Sequence, residues 1–148
     1  MQVERETEPR MALASGLFDQ AEAYWNAALA LQKANLQFDF SLLPVLNLYS
    51  HAIALYLKCF LRIHGHPLEE LEGKFKNDFR RMKKRAEAYG LRFAGTDKSA
   101  IEYYIHTPAA VRLKYSATPY YAAPTLEDLN GLCDTLRQRI AAEVERTA

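Results

Sequence analysis

A chain of 148 residues, 49% hydrophobic and 25% charged, is long enough to bury about 70% of its unfolded surface around a single core. Its net charge of +1 excludes a wholesale polyanion binder and leaves room only for local charged patches. Cys59 and Cys133 lie in apolar helical contexts (LKCFL and GLCDT), which suits buried thiols in a reducing compartment, and no run approaches the ~18 apolar residues of a membrane span.

The opening MQVERETEPR is charged, carries Pro9 and has no apolar run behind it. It reads as a flexible segment over residues 1–10 and not as a signal peptide, ahead of one helical-bundle domain over 11–146 in a cytoplasmic protein. From Met11 to about Ala34 the chain is Ala-rich, and Leu17, Ala21, Tyr24, Ala28 and Leu31 recur at three- and four-residue steps, which predicts a long amphipathic helix. Ser41 is the expected cap of a second helix from Leu42 to His64, and Pro44 is tolerated in its first turn. That helix is apolar on most sides, with a stripe of Leu46, Tyr49, Ile53, Leu57 and Phe60, so it belongs at the centre of a bundle or in a subunit interface.

Gly65 and Pro67 end it, and residues 68–73 offer one turn of helix. A third main helix starts at Asn77 as cap, buries Phe79, Met82, Ala86 and Tyr89, and closes at Gly90. A fourth runs from about Lys98 to His106 and stops before Pro108. Residues 109–124 have no clean period and read as loop. The last helix opens at Thr125, with Asp128 in capping-box position, and buries Leu126, Leu129, Leu132, Leu136 and Ile140. No alternating pair around a Gly/Asn turn suggests a hairpin. The expected fold is all-α, an antiparallel up-and-down bundle of about five helices.

The second and third helices carry a resemblance. His51 to Leu61 (HAIALYLKCFL), Gly65, Asn77-Asp78-Phe79, Ala86 and Gly90-Leu91, then Arg112 to Tyr115 (RLKY) and Pro124, resemble the HEPN superfamily of small helical domains often found beside nucleotidyltransferases. The likeness implies a HEPN-like bundle, a homodimer, and a possible nucleotidyltransferase partner. Many members are metal-independent ribonucleases marked by an Arg with a His a few residues later, a pair that acts at a dimer interface. None of His51, His64, His66 and His106 stands at that spacing, since Arg62 precedes His64 and His66 too closely; Asn77 and Ala54 replace a family His and Glu. The resemblance therefore implies a binding module without the nuclease chemistry.

Lys74, Lys76, Arg80, Arg81, Lys83, Lys84, Arg85 and Arg92 crowd the third helix and its flanks, with only Asp78 and Glu87 opposing them. Because the apolar positions take the inner face, the cations fan over the outer one, either as a phosphate-contacting stripe or as a solvated face balanced by Glu69, Glu70 and Glu72. A second segment, with Tyr103, Tyr104, His106, Arg112, Lys114, Tyr115, Tyr120 and Tyr121, can stack bases and hold phosphates, line a dimer seam, or pack onto the bundle.

Arg80, Arg81, Lys83, Lys84, Arg112, Lys114 and Tyr115 are thus the candidate nucleic-acid contacts, with RNA or a nucleotidyltransferase as partner. His64 and His66 flank a Gly with no ligands in register, so no metal is expected and no cofactor motif is found. They suit the negative end of a helix. His51 and Lys58 share one side of the second helix, as a core histidine and a snorkelling lysine or as a polar pair lining a contact. The competing class is an enzyme: a divergent metal-independent ribonuclease using Arg112 with His106, which lies six residues upstream.

Overall fold

The computed structural model describes residues 2–34, 42–107 and 124–147. Every regular element among them is helical: α1 (Gln2–Lys33), α2 (Leu42–Ile63), the short α3 (Leu68–Glu72), α4 (Phe79–Ala88), α5 (Thr96–His106) and α6 (Leu126–Thr147). The all-α expectation holds at this level; the described residues form six helices, where about five were expected of the chain. Because α1 begins at Gln2 and continues through Pro9, the helix extends beyond the part that periodicity can detect, which starts near the first core residue, Ala14. Ser41 and residues 109–123 lie outside the described residues.

α2 is central because it is apolar on most sides. Tyr49, Ala52, Ile53, Tyr56, Leu57, Cys59, Phe60 and Leu61 are each 1% exposed or less, and the helix packs on α1, α3, α4 and α6. Burying a side chain such as Leu57 contributes roughly 1.5–3 kcal/mol. Directions follow from paired contacts. The Cys59 thiol donates to the Ala14 carbonyl, Tyr56 meets Glu22 and Gln32 meets Tyr49, so α1 runs opposite to α2. Tyr49 meets Asn130, and His64 lies beside Glu143, so α6 runs in the same sense as α2.

Local chemistry sets the element ends. Asp78 caps α4, its carboxylate accepting from the Arg81 N–H at 3.0 Å, one residue later than the Asn77 expected from sequence. Phe79, Met82 and Ala86 face inward as predicted, while Tyr89 is the C-cap and half-buried. Gly90 follows with φ 98°, a conformation that costs an L side chain about 1–2 kcal/mol, and it closes the helix. Thr125 caps α6, accepting from the Asp128 N–H at 3.1 Å. Among the described residues no helix is long and apolar enough to cross a membrane.

Candidate functional site

The outer face of α4 gathers most of the predicted cations. With Phe79, Met82 and Ala86 inside, the 3.6-residue period leaves Arg80, Arg81, Lys84 and Arg85 outside, and all four are exposed. Arg81 is anchored to Asp78 at 3.3 Å, whereas no carboxylate among the described residues lies within 4 Å of Arg80, Lys84 or Arg85. Lys74, Arg81, Lys84 and Arg85 line a shallow groove floored by Phe75. Lys83 is turned away from this row. Its side chain is only 16% exposed, and its ammonium lies 3.3 Å from Glu87 and 3.9 Å from Glu102. Arg92 is folded back on the chain, donating to the Glu87 and Leu91 carbonyls. The helix face thus carries a row of exposed cations, while Lys83 belongs to the α4–α5 seam.

The second predicted segment divides. Tyr103 and Tyr104 are buried; Tyr104 stacks on Phe79 with centroids 5.5 Å apart, and its hydroxyl donates to the Leu46 carbonyl at 2.8 Å. These two rings are core and cannot stack on bases. His106 is exposed at the end of α5, its Nε2 lying 2.9 Å from Glu102 Oε2. Arg112, Lys114, Tyr115, Tyr120 and Tyr121 lie outside the described residues.

His51 is an exposed residue and not a core histidine. It stacks on Tyr24 across the α1–α2 seam, with centroids 4.9 Å apart. Lys58 is 7% exposed and reaches toward Glu72 at 4.0 Å, as a snorkelling lysine does.

A polar cluster that the sequence reading did not assemble lies where α2, α3, α4 and α6 converge. His66 bridges Glu70 and Tyr89: its Nδ1 is 2.6 Å from Glu70 Oε2 and its Nε2 is 2.7 Å from the Tyr89 hydroxyl. The Glu70 carboxyl is held below its ordinary range first by the His66 hydrogen bond. The opposite face of this latch is His64, stacked on Tyr89 at 4.2 Å and 8°.

His64 Nε2 is 3.4 Å from Glu143 but makes no hydrogen bond among the described residues, so the contact is close without being well aligned. Burial drives the His64 pKa down against the pull of Glu143, and the imidazole is therefore neutral near pH 7. Glu143 is 4% exposed and is compensated by Arg139 and Arg146, each at 3.3 Å. A carboxylate in phase with the apolar stripe of Leu132, Leu136 and Ile140 was the one sequence signal for this cluster. The Glu70–His66–Tyr89 chain has no such signal, because the i,i+4 pair of His66 and Glu70 is completed only by Tyr89 from the end of α4.

A second polar junction ties the long helices. Asn130 Oδ1 accepts from Trp25 Nε1 at 2.9 Å and from the Tyr49 hydroxyl, which in turn accepts from Gln32 Nε2. Nearby, Glu22 accepts from the Tyr56 hydroxyl and pairs with Arg137 at 3.3 Å. Cys59 and Cys133 are free and buried, and burial pushes the Cys59 thiol up to about 12. Among the described residues no group of three or more His, Cys, Asp or Glu is placed to hold a metal ion.

Comparison with protein-family models, with curated proteins and with solved structures returned no match to this chain.

Proposed function

We propose that this chain is a non-catalytic, HEPN-like binding module that acts as a homodimer and recognises nucleic acid through the outer face of α4. The carrying observation is the row of Arg80, Arg81, Lys84 and Arg85, exposed together with one acidic partner between them. Holding such like charges side by side is unfavourable unless solvent or a polyanion screens them, and a phosphate backbone supplies the matching charge.

An antiparallel up-and-down order accords with the opposed run of α1 against α2 and α6. The free, buried thiols suit a reducing cytoplasm. A homodimer follows from the sequence resemblance, which also makes a nucleotidyltransferase the partner to test if nucleic acid does not bind.

The test is binding of fluorescent single-stranded RNA over a salt series, with RNA length followed throughout. Four phosphate contacts give a log–log salt slope of about −3. Replacing Arg80, Arg81, Lys84 and Arg85 by Ala should abolish that slope, while Lys83→Met should keep it, because Lys83 is engaged inside the α4–α5 seam. Absence of salt-sensitive binding, or an unchanged slope in the quadruple variant, overturns the reading. Sedimentation of the same samples tests the dimer.

A second reading, a divergent metal-independent ribonuclease using His106 with Arg112, has one observation in its favour. Glu102 contacts the His106 imidazole at the exposed end of α5, so a carboxylate orients a side chain of the kind that serves in general acid–base cleavage. RNA shortening that disappears in both His106→Ala and Arg112→Ala would replace the binding reading. Activity retained in His106→Ala removes this alternative.

A further inference from the structure

We propose that the groove between the α4–α5 turn and α6, lined by Gly90, Arg92, Thr135, Gln138 and Arg139, is a binding site for a single phosphate group. It lies apart from the α4 face and does not depend on the role given to that face.

Two guanidinium groups enter this groove already oriented by the protein. Arg92 Nη1 donates to the Glu87 and Leu91 carbonyls, at 3.2 Å each. Arg139 Nη2 lies 3.3 Å from the buried Glu143 carboxylate. Each guanidinium has five N–H donors in a planar fork, so fixing one edge leaves the remaining donors to a ligand. The Arg139 Nε is buried and has no hydrogen-bond partner among the described residues, so the donors Arg139 offers the groove are those of its terminal nitrogens. Gly90, with φ 98° and no side chain, leaves room for the guanidinium over the closing turn of α4, where a Cβ would stand 3.3 Å from Arg139 Nη2.

The charge balance favours one anion. Arg139 and Arg146 both reach the same oxygen, Oε1, of Glu143, so one carboxylate is shared by two guanidinium groups, and His64 beside it is held neutral by burial. Asp97 accepts from the Thr135 hydroxyl at 2.7 Å and sits in the first turn of α5, where the helix dipole offsets its charge. Arg92 and Arg139 are left facing the groove. Two preoriented forks converging on one depression match the tetrahedral oxygens of phosphate better than a planar carboxylate, which a single fork satisfies. Free inorganic phosphate and the phosphate of a mononucleotide present the same group.

The experiment is a titration of the ¹⁵N-labelled full chain with inorganic phosphate and, separately, with a nucleoside monophosphate, at constant ionic strength. Saturable shifts confined to Gly90–Arg92 and Thr135–Arg139 are expected. Arg92→Gln, at an exposed position, should weaken binding by about tenfold. Gln138→Glu, which places a carboxylate in the groove, should weaken it at least as much, whereas Arg80→Ala/Lys84→Ala should leave it unchanged. Stronger binding of the nucleotide would assign the site to a nucleotide phosphate, and equal or weaker binding to the free anion. Non-saturating shifts spread over all cationic residues, or unchanged affinity in both groove variants, would overturn the proposal.

Discussion

Asn130 is the acceptor on which three long helices meet, and its replacement by Leu probes that junction directly. The indole of Trp25 can only donate, so Asn130 must present its carbonyl oxygen, and Tyr49 must donate to the same atom, leaving the phenolic lone pair to Gln32. Asn130→Leu removes the acceptor for both donors. Tyr49 is 0% exposed, so its stranded hydroxyl costs about 2 kcal/mol. Trp25 is half-buried and water can reach it, which limits its loss to about 1 kcal/mol. The better helix propensity of Leu offsets a few tenths of a kcal/mol.

The net destabilisation is about 2.5 kcal/mol, or roughly 5–10 °C in Tm for a chain of this size. Tyr49→Phe alone should cost about 1–2 kcal/mol, since it deletes the hydrogen bonds to Asn130 and from Gln32, while the half-buried Gln32 amide can turn to water. The diagnostic is the double-mutant cycle, measured by urea unfolding. In the Tyr49→Phe background Asn130→Leu should cost about 1.5–2 kcal/mol less than in the wild type, because the donor it would strand is already gone. Additivity within about 0.5 kcal/mol would refute the shared-acceptor argument.

Stability should fall on acidification in two steps. Burial lowers the folded-state pKa of His64 from 6.5, so just below that value the unfolded chain binds more protons and stability drops with falling pH. Glu70, held down chiefly by His66, adds a second loss below 4.5. His64→Phe retains a ring on Tyr89 and should erase the upper step only; denaturation curves in which that step persists would contradict the assignment. A thiol reagent near neutral pH should modify Cys59 and Cys133 only as fast as the protein opens, because both are buried and burial raises both pKa values. Rapid labelling of the folded protein would contradict this. Gly90→Ala should destabilise by about 1–2 kcal/mol through its positive φ. Gly16→Ala, in mid-helix with nothing within 4 Å of the new Cβ, should instead stabilise by up to about 1 kcal/mol, which thermal melts of the two variants would separate.

Much of the fold was legible because helix formation depends on local patterns. The 3.6-residue period of α2 and α6, the cap at Thr125, and the stops at Gly65 and Gly90 are written within a few residues of where they act. The same locality explains the misses. Asn77 and Asp78 are both good caps, and only the backbone geometry chose between them. His51 on an apolar helix reads as a core residue until its position over Tyr24 is known.

For the candidate site, the sequence determined that cations would crowd the outer side of α4, since the apolar residues at Phe79, Met82 and Ala86 leave no other place for them. Tertiary structure decided which of them face solvent. Lys83, four residues after Phe79 and three before Ala86, already lies at the edge of the apolar stripe, and α5 brings Glu102 to that edge of the helix to hold it there. The His66–Tyr89 contact, the Asn130 junction and the paired guanidinium groups of Arg92 and Arg139 likewise join residues distant in sequence. A helical period fixes which way each side chain points from its own axis, but only the packing of one axis against another sets what it meets.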